Sequence, residues 1–387
     1  MNPIRQKAHE IRQEVIDFRR DLHMYPEVSM EEFRTSEQVA AMLDKLGIPN
    51  RRIDPVGVVG EIKGGKPGKC VALRADMDAL QITEIADCAF KSRNEGKMHA
   101  CGHDAHTAML MGAAMLLNDM KDQIAGSVRL LFQPGEEVGL GAKAIIEQGG
   151  YEGVAAAFGQ HILPNVPVGR IGAAAGTAYA ASDYFRMSVK GVTCHGSMPH
   201  NGRDAIVCAS AIVMNLQTMV SREFDQLEPL VVSVGTMHGG TIWNGIAGEV
   251  VLEGTCRSFS KEIHARLEGV FRRICEQTAA AYGCEVDIHW EQRAQVLVND
   301  DEMRELGFAA ARKVLGEDGI IGVDAPTPGA EDFAEYGMLS PVCYFSLGTG
   351  DGAPIHNAGM VINEDALEIG VAFLAQTALD ALEKLNG

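Results

Sequence analysis

Apolar side chains recur at three- and four-residue steps over residues 4–24, at Ile11, Val15, Phe18 and Leu22. This spacing predicts a helix, which Tyr25-Pro26 ends. Residues 31–46 repeat the pattern and are closed by Gly47. Two short apolar runs follow, 57–62 and 70–73, and the GGKPGK between them reads as a turn. A helix over 105–117, a strand over 127–132, a helix over 142–148 and a strand over 155–158 come next. Strands alternating with helices predict a three-layer α/β domain with a mostly parallel sheet. Near residue 182 the order becomes strand 184–190, helix 205–220, strands 230–237 and 249–257, helix 263–282 and strand 285–290. That is the βαββαβ order of a ferredoxin-like unit. The chain then returns to helix 301–315, strand 342–346 and helix 365–385. The expected organisation is one domain from 1–182 and 293–387, with a second, 183–292, inserted into it.

Composition narrows the functional classes. At 387 residues, two domains are expected. The net charge of −18, from 34 basic and 52 acidic residues, argues against nucleic acid and anionic membranes as partners. No apolar run reads as long enough to span a bilayer. The charged, amphipathic start has no apolar h-region, so no secretory signal is expected. Nine cysteines are an odd number without framework spacing, which fits a reducing cytoplasm. An anionic substrate would need a local positive site, which a metal provides.

The densest chemistry lies in HACGHDAH, residues 99–106, with Cys101, His103, Asp104 and His106. Thiolate, imidazole and carboxylate bind borderline-soft divalent metals. The run opens a helix, whose N-terminal dipole would favour a thiolate. Three strand ends add further groups: Asp76 and Asp78, then Glu136-Glu137, then His161. Open α/β sheets carry functional residues at such ends. Of two adjacent carboxylates, one can hold a metal and the other serve as general base. His356 follows the Gly-rich loop 348–352, and His195 and Asn244 lie in loops of the inserted domain. Taken singly, each has an ordinary reading: turn caps for Asp76 and Asp78, a structural thiol for Cys101, a solvated turn for the glutamates, a capping residue for His161, loop residues for the rest. A cysteine hydrolase is disfavoured because Cys101 and His103 are only two residues apart, and the chain has no phosphate-loop motif.

Together the motifs DLHMYPE (21–27), LRADMDAL (73–80), HACGHDAHT (99–107), LFQPGEE (131–137), GQHILP (159–164), HGSMPH (195–200), GAEDF (329–333) and IHNA (355–358) resemble the metal-dependent amidohydrolases. That family includes hippurate hydrolase, N-acyl-amino-acid amidohydrolase, N-acetyldiaminopimelate deacetylase and auxin-conjugate hydrolase. The resemblance covers almost the whole chain. It implies a catalytic domain with two divalent metals (zinc, manganese, nickel or cobalt) and an inserted lid that often dimerises. By motif, the ligands would be Cys101, His103, Glu137, His161 and His356, with Cys101 the candidate bridge. Glu136 would be the general base, Asp76 an orienting residue, His195 an oxyanion donor and Asn244 a contact to the substrate carboxylate. Thr193-Cys194 stands where Gly-Gly is commoner, and the Pro often found after Asn244 is missing. Both departures bear on substrate choice.

The expected reaction is hydrolysis of an N-acyl amino acid by a metal-activated water, in a cytoplasmic homodimer or higher homo-oligomer. Two alternatives stay open: a dipeptidase or small-peptide carboxypeptidase on the same centre, and a non-catalytic metal- and peptide-binding protein.

Overall fold

The computed structural model describes residues 2–323 and 325–387. The N-terminal periodicity resolves into two helices, α1 (Pro3–Glu10) and α2 (Arg12–Met24), rather than one. The break is at Ile11, whose ψ of 4° leaves the helical range. Helix α3 (Phe33–Lys45) precedes strand β1 (Asn50–Ile53). Its sequence, NRRI, lacks an apolar run because it is the polar outer strand of the sheet. Strands β2 (Gly57–Lys63) and β3 (Lys66–Asp76) follow. Only Gly64 and Gly65 of the expected turn lie between them, and Pro67-Gly68-Lys69 belongs to the irregular start of β3. Then come α4 (His103–Asp119), β4 (Ala125–Gln133), α5 (Gly141–Glu147), β5 (Val154–Leu163) and the two-residue β6 (Ile171–Gly172). Strand β5 runs past its apolar core, so His161 lies within it near its end.

The short strands β7 (Thr177–Tyr179) and β12 (Leu297–Val298) stand where the chain passes from one compact unit to the other. The second unit holds residues 179–297 and 326–331, and the first holds the remainder. In the second unit, β8 (Ala181–Lys190), α6 (Ala205–Thr218), β9 (Leu230–Gly239), β10 (Glu249–Ser258), α7 (Lys261–Ala281) and β11 (Glu285–Ala294) follow the βαββαβ order. Its sheet is antiparallel, in the order β11-β8-β10-β9. Burial in β8 largely alternates, as in a sheet covered on one face. Phe185, Met187, Leu252, Ile212, Leu267 and Phe271 fill the space under α6 and α7. Residues 205–223 are long and apolar enough, by length and composition, to cross a membrane, which differs from the sequence expectation. Cys208, Ala209, Ile212 and Leu216 of that stretch are buried in this core.

Back in the first unit, α8 (Asp301–Leu315), β13 (Val342–Gly348) and α9 (Asp365–Asn386) complete the fold. The sheet order is β1-β2-β4-β3-β5-β13-β6. Strands β4, β3, β5 and β13 are mutually parallel, while the outer pairings are antiparallel. Val71 to Asp76 are buried without alternation, so both faces of the sheet are covered. Helix α4 is buried except at Met115, Asn118 and Asp119, which explains its weak amphipathic pattern. It packs on α9, and both lie against the central strands.

Candidate metal centre

The four parallel strands end on one side of the sheet, the edge at which α/β folds place ligands. Asp76 closes β3, Gln133 closes β4 and leads to Glu136 and Glu137, and His161 lies near the end of β5. The loop after β13 carries His356, whose N–H donates to the Ala100 carbonyl at 2.7 Å. Cys101 and His103 flank Gly102, which has φ +88°. A Cβ on Gly102 would fall 2.5 Å from Ile162 Cδ1, so glycine lets this turn lie against β5.

The donor atoms of Cys101, His103 and His161 lie within 4.8 Å of one another, and so do those of Cys101, Glu137 and His356. Cys101 belongs to both groups. His103, Glu136 and Glu137 form a third. All five expected ligands and the expected base therefore converge on one rim. His161 Nδ1 is 2.7 Å from the Ile162 carbonyl, which leaves Nε2 as a lone-pair donor, 3.4 Å from Cys101 Sγ. Burial drops the His161 pKa to about 3, so the ring is neutral, as a ligand must be. His103 Nδ1 faces Asp78 Oδ1 at 3.1 Å, and its buried Nε2 has no hydrogen-bond partner among the described residues, Asp76 Oδ1 lying 3.8 Å away. Burial opposes charge on His103, but Asp76, Cys101 and Asp78 raise its pKa well above the ordinary value. His356 Nε2 is 3.3 Å from Glu137 Oε1. These donors concentrate negative charge around an orphaned imidazole nitrogen, and the set fits divalent cations. The helix N-terminus does not yield a thiolate unaided. Burial pushes the Cys101 thiol up to about 12, and a coordinating cation would be needed to deprotonate it.

Behind the donors lies a buried polar layer, of which the motif resemblance implies only Asp76. Asp76 Oδ1 faces His106 Nδ1 at 2.6 Å, and His106 Nε2 accepts from the Ile162 N–H at 2.9 Å. Both nitrogens of His106 are thereby engaged in support. Burial disfavours charge on Asp76, yet His103, Arg74 and His106 hold its pKa well below the ordinary value. Arg74, 1% exposed, donates to Asp76 Oδ2 at 2.5 Å and to Asp332 Oδ1 at 2.8 Å. Asp332 also accepts from Gln133 Nε2 at 2.7 Å, joining β3 and β4. Asp104 turns from the donors towards Arg19 and His23, each at 2.9 Å. The sequence signals this layer in the charges of LRADMD at the end of apolar β3, while the partner Asp332 in GAEDF lies 258 residues from Arg74 and is not legible from it.

Residues 72–380 match Peptidase family M20/M25/M40. The chain belongs to this family. It is 38% identical over 384 residues to an N-acetyl-L-cysteine deacetylase of Bacillus subtilis, covering 99% of this chain and 91% of the relative. It is also 38% identical over 377 residues to thermostable carboxypeptidase 1 of Saccharolobus solfataricus, covering 95% of each. The crystal structure of a dinuclear metal-binding M20 peptidase of B. subtilis superposes with a TM-score of 0.84 at 35% identity, covering 97% of this chain and 99% of that one. As an M20-family member, the chain is a metal-dependent hydrolase.

In the second unit of this M20 chain, His195 and Asn244 are neighbours. His195 bridges Gly245, and the Gly196 N–H donates to the Asn244 carbonyl at 2.8 Å. Both residues are exposed. His195 Nδ1 is 2.8 Å from Ser197 Oγ and accepts from the Ser197 N–H at 3.2 Å, so Nε2 carries the ring proton.

Proposed function

We propose that this M20 hydrolase cleaves the amide bond of an N-acyl amino acid, releasing a carboxylic acid and a free amino acid. The observation that carries the reading is Glu136 beside a five-donor pocket in which Cys101 is shared by two donor groups. Cys101, His103, Glu137, His161 and His356 would hold two divalent ions. Bound divalent metals supply Lewis acidity, lowering the pKa of water and polarising a carbonyl. Glu136 takes a proton from the attacking water and delivers it to the leaving nitrogen as the C–N bond breaks. Asp76 and Asp78 fix the rings of His106 and His103. His195 donates to the developing oxyanion, and Asn244 meets the substrate carboxylate. The thiolate leans towards zinc, nickel or cobalt, and manganese remains in the set.

The first unit is the catalytic domain in this reading, and the second is the lid and homodimer surface. Strand β9 is a sheet edge with Val231 and Met237 exposed, and α6 adds exposed Ile206, Val207 and Met214. An apolar edge of this length is a template for pairing with a second copy. Nine free cysteines support a reducing, cytoplasmic setting. The S. solfataricus relative favours a second reading, cleavage of small peptides on the same centre.

Amine release from N-acetyl, N-benzoyl and indoleacetyl amino acids and from dipeptides tests both readings. It is run on metal-stripped protein and again after manganese or zinc is added. Turnover only with metal, fastest on an N-acyl amino acid, is expected. Fastest turnover on dipeptides selects the second reading. No turnover by protein carrying two ions overturns both.

A further inference from the structure

Strand β4 ends at Gln133, so the loop carrying Glu136 and Glu137 has left the sheet ladder. Two of its N–H groups are caught instead by side chains. The Gly135 N–H donates to Glu32 Oε1 at 2.7 Å. The Glu137 N–H donates to Asp78 Oδ2 at 3.0 Å, and Ser29 Oγ donates to the same oxygen at 2.6 Å. The loop is thus gripped on both sides of Glu136 by residues 29–32 and by Asp78. Packing closes the grip. Gly135 has φ +59°, and a Cβ there would come within 2.4 Å of Met30 Sδ.

We propose that Glu32 is a positioning residue for this reaction: through its Oε1 it sets the loop that presents Glu136 and Glu137. The inference rests on the roles given above to those two carboxylates. Glu32 is fully buried. Burial first, and the Asp78 charge next, push its pKa up to about 8, so near neutral pH it is mostly an uncharged acid. Its contribution is then the reach and direction of one acceptor oxygen. A glutamine keeps that acceptor, and an aspartate, one methylene shorter, cannot reach Gly135 from the same backbone.

Glu32→Gln and Glu32→Asp separate acceptor from charge. Three measurements are made: amide hydrogen exchange of residues 135–138 in metal-free protein, manganese affinity by titration, and kcat and KM. Glu32→Asp is expected to speed exchange across the loop, to weaken manganese binding about 10-fold or more, and to lower kcat by a similar factor with KM little changed. Glu32→Gln is expected to stay within about threefold of the parent protein in affinity and kcat. Parent-like exchange and affinity in Glu32→Asp overturn the proposal, even if its Tm falls. Equal damage in Glu32→Gln also overturns it, because charge would then be what matters. The exchange and manganese measurements use no substrate, so they decide the matter even if the hydrolase reading fails.

Discussion

The metal rim of the first unit and the His195 loop of the second are built on opposite plans. In the rim, donors are mostly buried and backed by a second layer: His103 by Asp78, His161 by the Ile162 carbonyl, and Asp76 by Arg74 and His106. Only His356 is half exposed, and its backbone is tied to Ala100. In the loop, His195 and Asn244 are exposed, Trp243 beside them is 94% exposed, and backbone pairing with Gly245 and the Ser197 contacts to the His195 ring do the holding. The difference follows from charge. Gathering carboxylates, imidazoles and a thiol in a buried volume requires fixed counter-charges and hydrogen bonds around them. A donor on an exposed loop is solvated by water and requires neither. Substitutions of the five rim donors and of the layer behind them should therefore disturb metal binding and stability, and those in the loop should disturb turnover alone.

The largest effect expected is that of Glu136→Gln. It removes the base without removing a member of the five-donor set. Turnover should fall by about 10²–10⁴, with metal content unchanged. Loss of metal in this variant, read by elemental analysis, would make Glu136 a ligand and change the accounting of the rim. Arg74→Met comes next. It strands Asp76 and Asp332 in the interior without their cation, and breaking a buried ion pair from one side costs about 3–5 kcal/mol. The denaturation midpoint should drop and metal affinity fall with it. An unchanged midpoint would show that the second layer does not hold the rim together.

The same contrast explains what could be read from the sequence. Helices such as 301–315 and the strands of the βαββαβ unit were legible because each buries one face and so carries a period. Strand β1 is not legible because an outer strand of sequence NRRI has almost no apolar signal. The spacing predicts one continuous early helix because Ile11 keeps the period while its backbone breaks it. At the site, the ligand types and strand ends were visible as motifs. The roles of Arg74, His106 and Glu32 were not, because their partners lie up to 258 residues away, at Asp332. Burial also reversed the expected state of Cys101, a cost that no local spacing reveals.

His195→Ala probes the exposed loop in the same way. Losing one oxyanion donor should lower kcat by about 10²–10³. Tm and metal content should stay at the parent values, since the side chain is exposed and its hydrogen bonds among the described residues run to Ser197 of the same loop. A fall in Tm comparable to that of Arg74→Met would remove the distinction between the two regions.

The smallest effect expected is a dependence of stability on pH that belongs to the first unit. His23 is buried, with Nδ1 2.9 Å from Asp104 Oδ2 and Nε2 3.3 Å from Glu84 Oε1. Burial lowers its pKa, and Arg19 opposes its charge too. The Asp104 charge and the hydrogen bonds to both carboxylates outweigh them and raise it to about 9. A pKa higher in the folded than in the unfolded chain gives stability that is fully present below about pH 6.5 and is lost as pH rises through about 9. The contribution is at most about 3 kcal/mol. Asp104 and Glu84 are shifted downwards, so their contributions change only in acid and do not enter this window. His103 is shifted upwards in metal-free protein, so the comparison is made as a difference between His23→Gln and the parent at each pH. The parent should lose its advantage over His23→Gln between pH 6.5 and 9, as read by denaturant unfolding. A constant difference across that range would mean that His23 is held neutral, and that Arg19 alone balances Asp104.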